Sequence, residues 1–302
     1  MVRPRLELPE GLIPGGSVGG AALVPVVVLA AAVLHATWNA LAHGMKDQVV
    51  GFALLNLAST TGAAGLVLLT PLPAASAWPF IIGSAIVHVF YQVMLLRSYG
   101  LGDFAQMYPI ARGTSPLLVA LWSTVVLLQP ITGLELVGVL VISLGLIGLA
   151  FSNGIPRRDQ TSALVAALST GVLIAVYTVI DGLGVRHSGT VMGYIAWIFL
   201  LQGPIPVVIA VRRRSRTAFA HLPPRVWFQG LGGGVMSLIA YGLVIWAQAR
   251  GNLATIAALR ETSIVFAALI GALIFHERFG RYRMVASAVV VTGIAVLEFA
   301  PR

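Results

Sequence analysis

RGTSP at residues 112–116 and RETSI at residues 260–264 decide how this chain folds. Each sets an arginine, a threonine and a serine inside a long apolar run, about ten residues after a break near Gly102 or near Gly251. Ten residues of helix rise about 15 Å, half of the roughly 30 Å hydrocarbon core of a bilayer. Arg112 and Arg260 are therefore expected near mid-membrane, where an unpaired charge costs at least ~2.5 kcal/mol and points by default to function.

Outward from these stretches the chain stays apolar. Of its 302 residues 58% are hydrophobic and 10% are charged, against roughly 25% charged in soluble domains, so it reads as a polytopic, all-α integral membrane protein. Ten segments have spanning length, at about 22–42, 50–70, 78–98, 103–127, 133–151, 162–181, 190–211, 226–248, 252–275 and 281–299. Residues 1–21 are rich in Gly and Pro and lack the short apolar core and cleavage site of a signal peptide. They read as a disordered N-terminal tail. The net charge of +9 lies mostly in short loops, where it reports topology, so nucleic acid is not an expected partner. The sequence has no cysteine, which excludes a disulfide framework, a thiolate nucleophile and a Cys-ligated metal.

Shifting the sequence by 148 positions lays residues 112–151 on 260–299 without a gap, with ten identities in forty pairs. Shared apolar composition supplies several of these. It does not supply the common Arg, Thr and Ser, which are rare inside spans. Upstream, Tyr91 in the third span corresponds to Tyr241 in the eighth. The chain thus reads as two five-span repeats, 22–152 and 162–299, joined by a polar linker at 153–161 and followed by a tail at 300–302. Five is odd, so the second repeat enters the membrane from the opposite side. Inverted repeats of this kind are a common plan of secondary transporters, with the site at the midplane between the halves. The two arginine helices are then expected to face one central cavity across a pseudo-twofold axis. Loops after odd-numbered spans carry twelve Lys and Arg, whereas the tails and the other loops carry five. The positive-inside rule places both termini of this cell (inner) membrane protein outside the cytoplasm.

The stretches YPIARGTSPLLVALWSTVVLLQPITGLELVGVLVISLGL at 108–146 and ALRETSIVFAALIGALIFHERFGRYRMVASAVVVTGIAVL at 258–297 carry a resemblance. With the repeats, they make residues 22–299 resemble an EamA-type member of the drug/metabolite transporter superfamily. The resemblance implies a ten-helix basket around a central cavity, lined by the first, third and fourth helices of each repeat, that works by alternating access. It names no substrate. In that family the fourth helix of each repeat tends to end in a Gly-Glu pair. Here the second repeat has His276 and Glu277 and the first has Leu128 and Gln129, so a symmetric pair of gating carboxylates is not expected.

Helical spacing picks out the cavity independently. His35, Trp38 and Asn39 form one stripe in the first span, and His88, Tyr91 and Gln92 form its counterpart in the third. Tyr177 and Asp181 share a face of the sixth span, and Tyr241 and Gln248 one of the eighth. In the fourth, Tyr108, Arg112 and Ser115 align; in the ninth, Asn252, Arg260 and Ser263. The fifth and tenth spans have almost no internal polar residues, and either lipid or a homodimer contact would suit them. The expected substrate contacts are Arg112, Arg260, Trp38, Asn39, His88, Tyr91, Gln92, Tyr108, Tyr177 and Tyr241. Trp197 and Trp246 read instead as packing or interfacial residues.

Two readings of the arginines stand. A guanidinium matches a carboxylate or phosphate of a substrate, or Glu261 neutralises one of them. Neighbours on a helix point about 100° apart, so in the second reading Glu261 could reach Arg112 across the axis but not easily its neighbour Arg260. Glu261 is the only carboxylate expected at the midplane and thus a candidate for proton coupling, with His35 and His88 as alternatives. Pro109 and Pro116 bracket Arg112 and are expected to bend the fourth span, while Ala257 and Ile264 leave the ninth straighter.

Two arginines and one glutamate favour an anionic or zwitterionic metabolite, such as an amino acid. The expected function is a secondary transporter, an exporter by family tendency, with no cofactor and no metal. A flippase holding a lipid phosphate on the same fold is the alternative. An enzyme is not expected: the ten acidic residues are scattered, and neither an HExxH nor a Walker motif occurs.

Overall fold

The structure, a computed structural model, describes residues 18–43, 45, 47–102, 104–151, 158–274 and 281–299. Glu277, most of the linker, and most of both tails lie outside the described residues. Among the described residues all regular structure is helical: α1 (Val18–His43), α2 (Gln48–Leu69), α3 (Trp78–Leu101), α4 (Phe104–Val125), α5 (Gly133–Ala150) and α6 (Thr161–Arg186). They are followed by α7 (Val191–Gln202), α8 (Pro204–Ala220), α9 (Pro224–Gln248), α10 (Leu253–Arg260), α11 (Ser263–Ile274) and α12 (Arg281–Glu298). Seven stretches among them are long and apolar enough to cross a membrane, and Met284–Glu298 is a shorter apolar helix.

Helices begin where the sequence supplies a cap. Asp47 accepts from the backbone N–H groups of Val49 and Val50 at the start of α2, and Asn252 does the same for Ala254 and Thr255 at the start of α10. Thr132 and Glu135 close a reciprocal capping box on α5, and Thr190 caps α7. Such side chains satisfy amides that have no partner inside the helix. Asn252 is thereby spent on a helix start and on the Pro130 carbonyl, so it does not join Arg260 in a polar face.

Two segments depart from the sequence expectation. The seventh divides at Gly203, with Pro204 opening α8. More consequentially, it is the ninth span, and not the fourth, whose helix is interrupted. Helix α4 runs on through Pro109 and Pro116, whereas the ninth segment breaks at Glu261 and Thr262 between α10 and α11. Proline costs a helix one hydrogen bond, but neighbouring helices can hold the chain helical across it. A buried carboxylate shared by two arginines imposes the stronger demand, as the site below makes plain.

Packing pairs distant parts of the chain. Helix α1 lies against α9, α10 and α11; α6 against α3 and α4; α2 against α9, α7 and α8; and α5 against α12 and α4. The contact of α5 with α12 is intimate because both carry glycine. A β-carbon at Gly293 would stand 2.6 Å from Ile142 Cγ1, and one at Gly138 2.6 Å from Leu297 Cγ, so small residues set the approach distance. These two helices therefore bury one face on each other within the chain. One apolar core joins Val28, Ile142, Leu146, Ile256, Leu259 and Val290. Another joins Ile81, Tyr194, Ile198, Phe199 and Ile245.

The end of α4 keeps a backbone that glycine would favour. Leu128 has φ of 53°, in the left-handed region, and the Gln129 N–H returns to the Ser123 carbonyl at 2.9 Å. A side chain in that region costs about 1–2 kcal/mol, and glycine removes the cost. Leu128 is 81% exposed and offers little packing in return. Leu128→Gly is expected to stabilise the protein by about 1 kcal/mol, seen as a raised unfolding midpoint in detergent, while Leu128→Val lowers it.

Candidate functional site

The break in the ninth segment creates the charged centre. Arg260 is the last residue of α10, Glu261 sits at the turn, and Ser263 opens α11. From α4, Arg112 Nη2 donates to Ser263 Oγ at 2.8 Å, and its Nε lies 2.9 Å from Glu261 Oε2. Arg260 Nε lies 3.7 Å from Glu261 Oε1. All three side chains are buried, with Glu261 fully so. The pairing of Arg112 with Glu261 follows the sequence expectation. The approach of Arg260 does not.

The cluster is not saturated. The Arg112 to Glu261 contact is an ion pair without an aligned N–H. Among the described residues no hydrogen bond reaches Arg260 Nε, Arg260 Nη2 or either Glu261 oxygen. Two guanidinium groups share one carboxylate, which leaves one positive charge over. Each arginine also sits near an aromatic face: the Arg112 Cζ is 5.8 Å from the Tyr108 ring centre and the Arg260 Cζ is 6.0 Å from that of Tyr177. Such placement of a guanidinium is favourable when water is excluded.

Tyr177 also forms part of a cavity wall. The cavity holds about 100 Å³. Its aromatic wall includes His35, Trp38, His88, Tyr91, Tyr177 and Tyr241. His88 stacks on Tyr177 at 4.0 Å, Tyr241 meets His88 edge-on at 5.4 Å, and Tyr91 meets Tyr177 edge-on at 5.5 Å. His35 and Trp38 are edge-on at 5.0 Å. The polar part of the wall includes Asn56, Gln92, Gln202 and Ser237, with Asn56 Nδ2 donating to Gln92 Oε1 at 3.0 Å. This wall contains no Asp, Glu, Lys or Arg.

Six of the ten expected substrate residues thus stand on the wall: Trp38, His88, Tyr91, Gln92, Tyr177 and Tyr241. Four stand off it. Arg112 and Arg260 are in the charged centre, Tyr108 lies beneath Arg112, and Asn39 turns its Nδ2 back to the His35 carbonyl at 2.7 Å. Of the proton-coupling candidates, His35 and His88 are on the wall and Glu261 is held between the arginines. His88 Nδ1 lies 2.9 Å from the Ser84 carbonyl and 3.1 Å from the Ser84 hydroxyl. Trp197 packs edge-on against Trp78 at 4.9 Å and Trp246 carries the Arg250 guanidinium on its face at 4.1 Å; neither lines the cavity.

Asn56, Gln202 and Ser237 are not among the residues expected from the sequence, although Asn56 has Ser59 one turn on and Ser237 has Tyr241 one turn on, both on the same wall. Spacing also undervalues Asp181. That residue is a second fully buried carboxylate, and it receives hydrogen bonds from Tyr194 and Tyr241. A lone acid inside an apolar helix is a usable signal. Among the described residues no group of three or more His, Asp or Glu is gathered as for a metal.

Residues 161–299 match the family model described as the EamA-like transporter family. The matched residues are those of the second repeat read from the sequence. The match agrees with the resemblance seen in the sequence, and with the apolar helices it supports a multi-pass membrane transporter of the drug/metabolite type. No curated protein matches the chain. A solved structure described only as a protein shares the fold, with a TM-score of 0.75 over 92% of this chain and 98% of its own at 17% identity.

Removing one partner from a buried ion pair costs about 3–5 kcal/mol, while replacing both by apolar groups is often close to neutral. Arg112→Leu and Glu261→Leu are each expected to lower the unfolding midpoint in detergent. The double variant is expected to lose less than the sum of the two, which a double-mutant cycle on purified protein measures.

Proposed function

We propose that this protein is a secondary transporter that exports a small zwitterionic or anionic metabolite, one with a carboxylate and a flat or apolar body. The observation that carries the proposal is the leftover guanidinium charge of the centre, set against a wall residue of an aromatic cavity. A substrate carboxylate would engage Arg260 once Tyr177 turns aside, and the substrate body would lie among Trp38, Tyr91 and Tyr241. Arg112 then serves chiefly to hold Glu261, and its expected substrate role passes to Arg260. The cavity is well below the roughly 300–1,000 Å³ of pockets for drug-sized ligands, which favours an amino-acid-sized cargo.

Ten spans in two inverted repeats explain how the helices pair. In that scheme α1 corresponds to α6, α2 to α7 with α8, α3 to α9, α4 to α10 with α11, and α5 to α12. The contact of α1 with α9 then maps onto that of α6 with α3, and the contact of α4 with α6 onto that of α10 and α11 with α1. The contact of α5 with α12 maps onto itself. Rocking of one repeat against the other would open the cavity to alternate sides. Glu261, tied between two arginines, would act as the fixed pivot of this motion, and His35 and His88 as wall residues.

Uptake and efflux of radiolabelled amino acids, aromatic and aliphatic, in proteoliposomes test the proposal. Arg260→Gln is expected to lower transport at least tenfold while the protein still inserts, and Tyr241→Phe is expected to act more weakly. Full activity of Arg260→Gln on the transported compound would refute the carboxylate contact. We further propose that both termini lie outside the cytoplasm. A reporter that is active only in the cytoplasm, fused to the C terminus, is then expected to stay silent.

A further inference from the structure

Asp181 is a carboxylate the charged centre does not use. It lies fully buried near the end of α6, where three other helices meet it. Tyr194 of α7 donates to Oδ1 at 3.1 Å, Tyr241 of α9 donates to Oδ2, and α3 packs along the same helix. The fit is specific. Gly184 is one turn further along the same face of α6, and a β-carbon there would collide with the Tyr194 hydroxyl.

No ion pair among the described residues includes Asp181. The cation nearest in sequence, Arg186, is turned away. Its Nε and Nη2 donate to the Gln248 carbonyl at 3.0 and 2.9 Å, and Nη2 also to that of Gly251 at 2.7 Å. On α4, Arg112 is engaged with Ser263 and Glu261, and Tyr108 lies by Arg112. On α3, His88 touches Ser84 and Tyr91 faces Tyr177. From α10, Arg260 makes its ion pair with Glu261. An ionised carboxylate without a cation is costly in such a place, and neutralisation by a proton is the usual relief.

We propose that Asp181 is a proton-binding site whose occupancy sets the direction of the Tyr241 hydroxyl at the cavity wall. A phenol has one hydrogen to give and can also accept. While Asp181 is ionised, Tyr241 spends its hydrogen on Oδ2. When Asp181 takes up a proton, the new O–H donates to the Tyr241 oxygen. The phenol hydrogen, displaced from Oδ2, turns toward the cavity that Tyr241 lines. One proton is gained, no other bond is broken, and the wall changes from acceptor to donor. Coupling of this switch to cargo rests on the transporter reading; the proton site itself does not.

Infrared spectroscopy of the full-length protein in lipid nanodiscs, without any cargo, tests the site. At neutral pH a protonated-carboxyl C=O stretch is expected, and Asp181→Asn is expected to remove it. Tyr194→Phe and Tyr241→Phe each take away a hydrogen-bond partner, and each is expected to shift the frequency of the same band. These two variants keep the test decisive if Asp181→Asn does not insert. Lack of the band in the unaltered protein, its survival in Asp181→Asn, or a frequency indifferent to both tyrosine variants would overturn the proposal. None of these outcomes depends on whether a metabolite is transported.

Discussion

One buried carboxylate held between two guanidinium groups organises this protein. Taking such charges out of water costs several kcal/mol each, and only close pairing offsets it. Glu261 reaches Arg112 from the point where the ninth segment is interrupted. The break in turn splits α10 from α11, and Ser263 at the start of α11 completes the contact with Arg112. Charge pairing, helix interruption and the crossing of α4 over α10 are thus one constraint seen three ways.

The same centre shapes the cavity beside it. Tyr177 has one face toward Arg260 and a place in the wall, stacked on His88. Any movement of that ring changes both the exposure of the guanidinium and the space for a guest. On the opposite side of the aromatic group, Tyr241 links the wall to Asp181. The wall itself carries no formal charge but is flanked by two ionisable groups, each joined to it through one tyrosine. That arrangement lets a neutral surface answer to buried charge without exposing it.

Much of the cavity was legible because it obeys helical spacing. His88, Tyr91 and Gln92 recur at one-turn intervals on α3, and all three stand on the wall. Asn39 has the same spacing relative to His35 but bonds back to its own helix, a choice between neighbours that periodicity cannot make. Asn252 was drawn to a helix cap for a similar reason: an amide start with no other partner was closer than the polar face. Pro109 and Pro116 look like stronger helix breakers than Glu261, yet the chain breaks at Glu261. Local propensity is worth at most a few kcal/mol, and an unneutralised buried ion is worth more.

Alone, the sequence determined that the chain lives in a membrane, that two arginine stretches recur, and that Glu261 is the one nearby carboxylate that could neutralise an arginine. Apolar length, rarity of charge and the cost of leaving charge alone in lipid suffice for these, since each is a property of composition or of local spacing. Only the tertiary structure decided that Arg260 shares the same carboxylate, that α5 and α12 cover each other, and that the cavity wall is neutral. It alone also joined Asp181 to Tyr194 and Tyr241 from three helices. These are contacts between segments tens of residues apart, and they depend on which helix crosses which, a choice no single helix encodes.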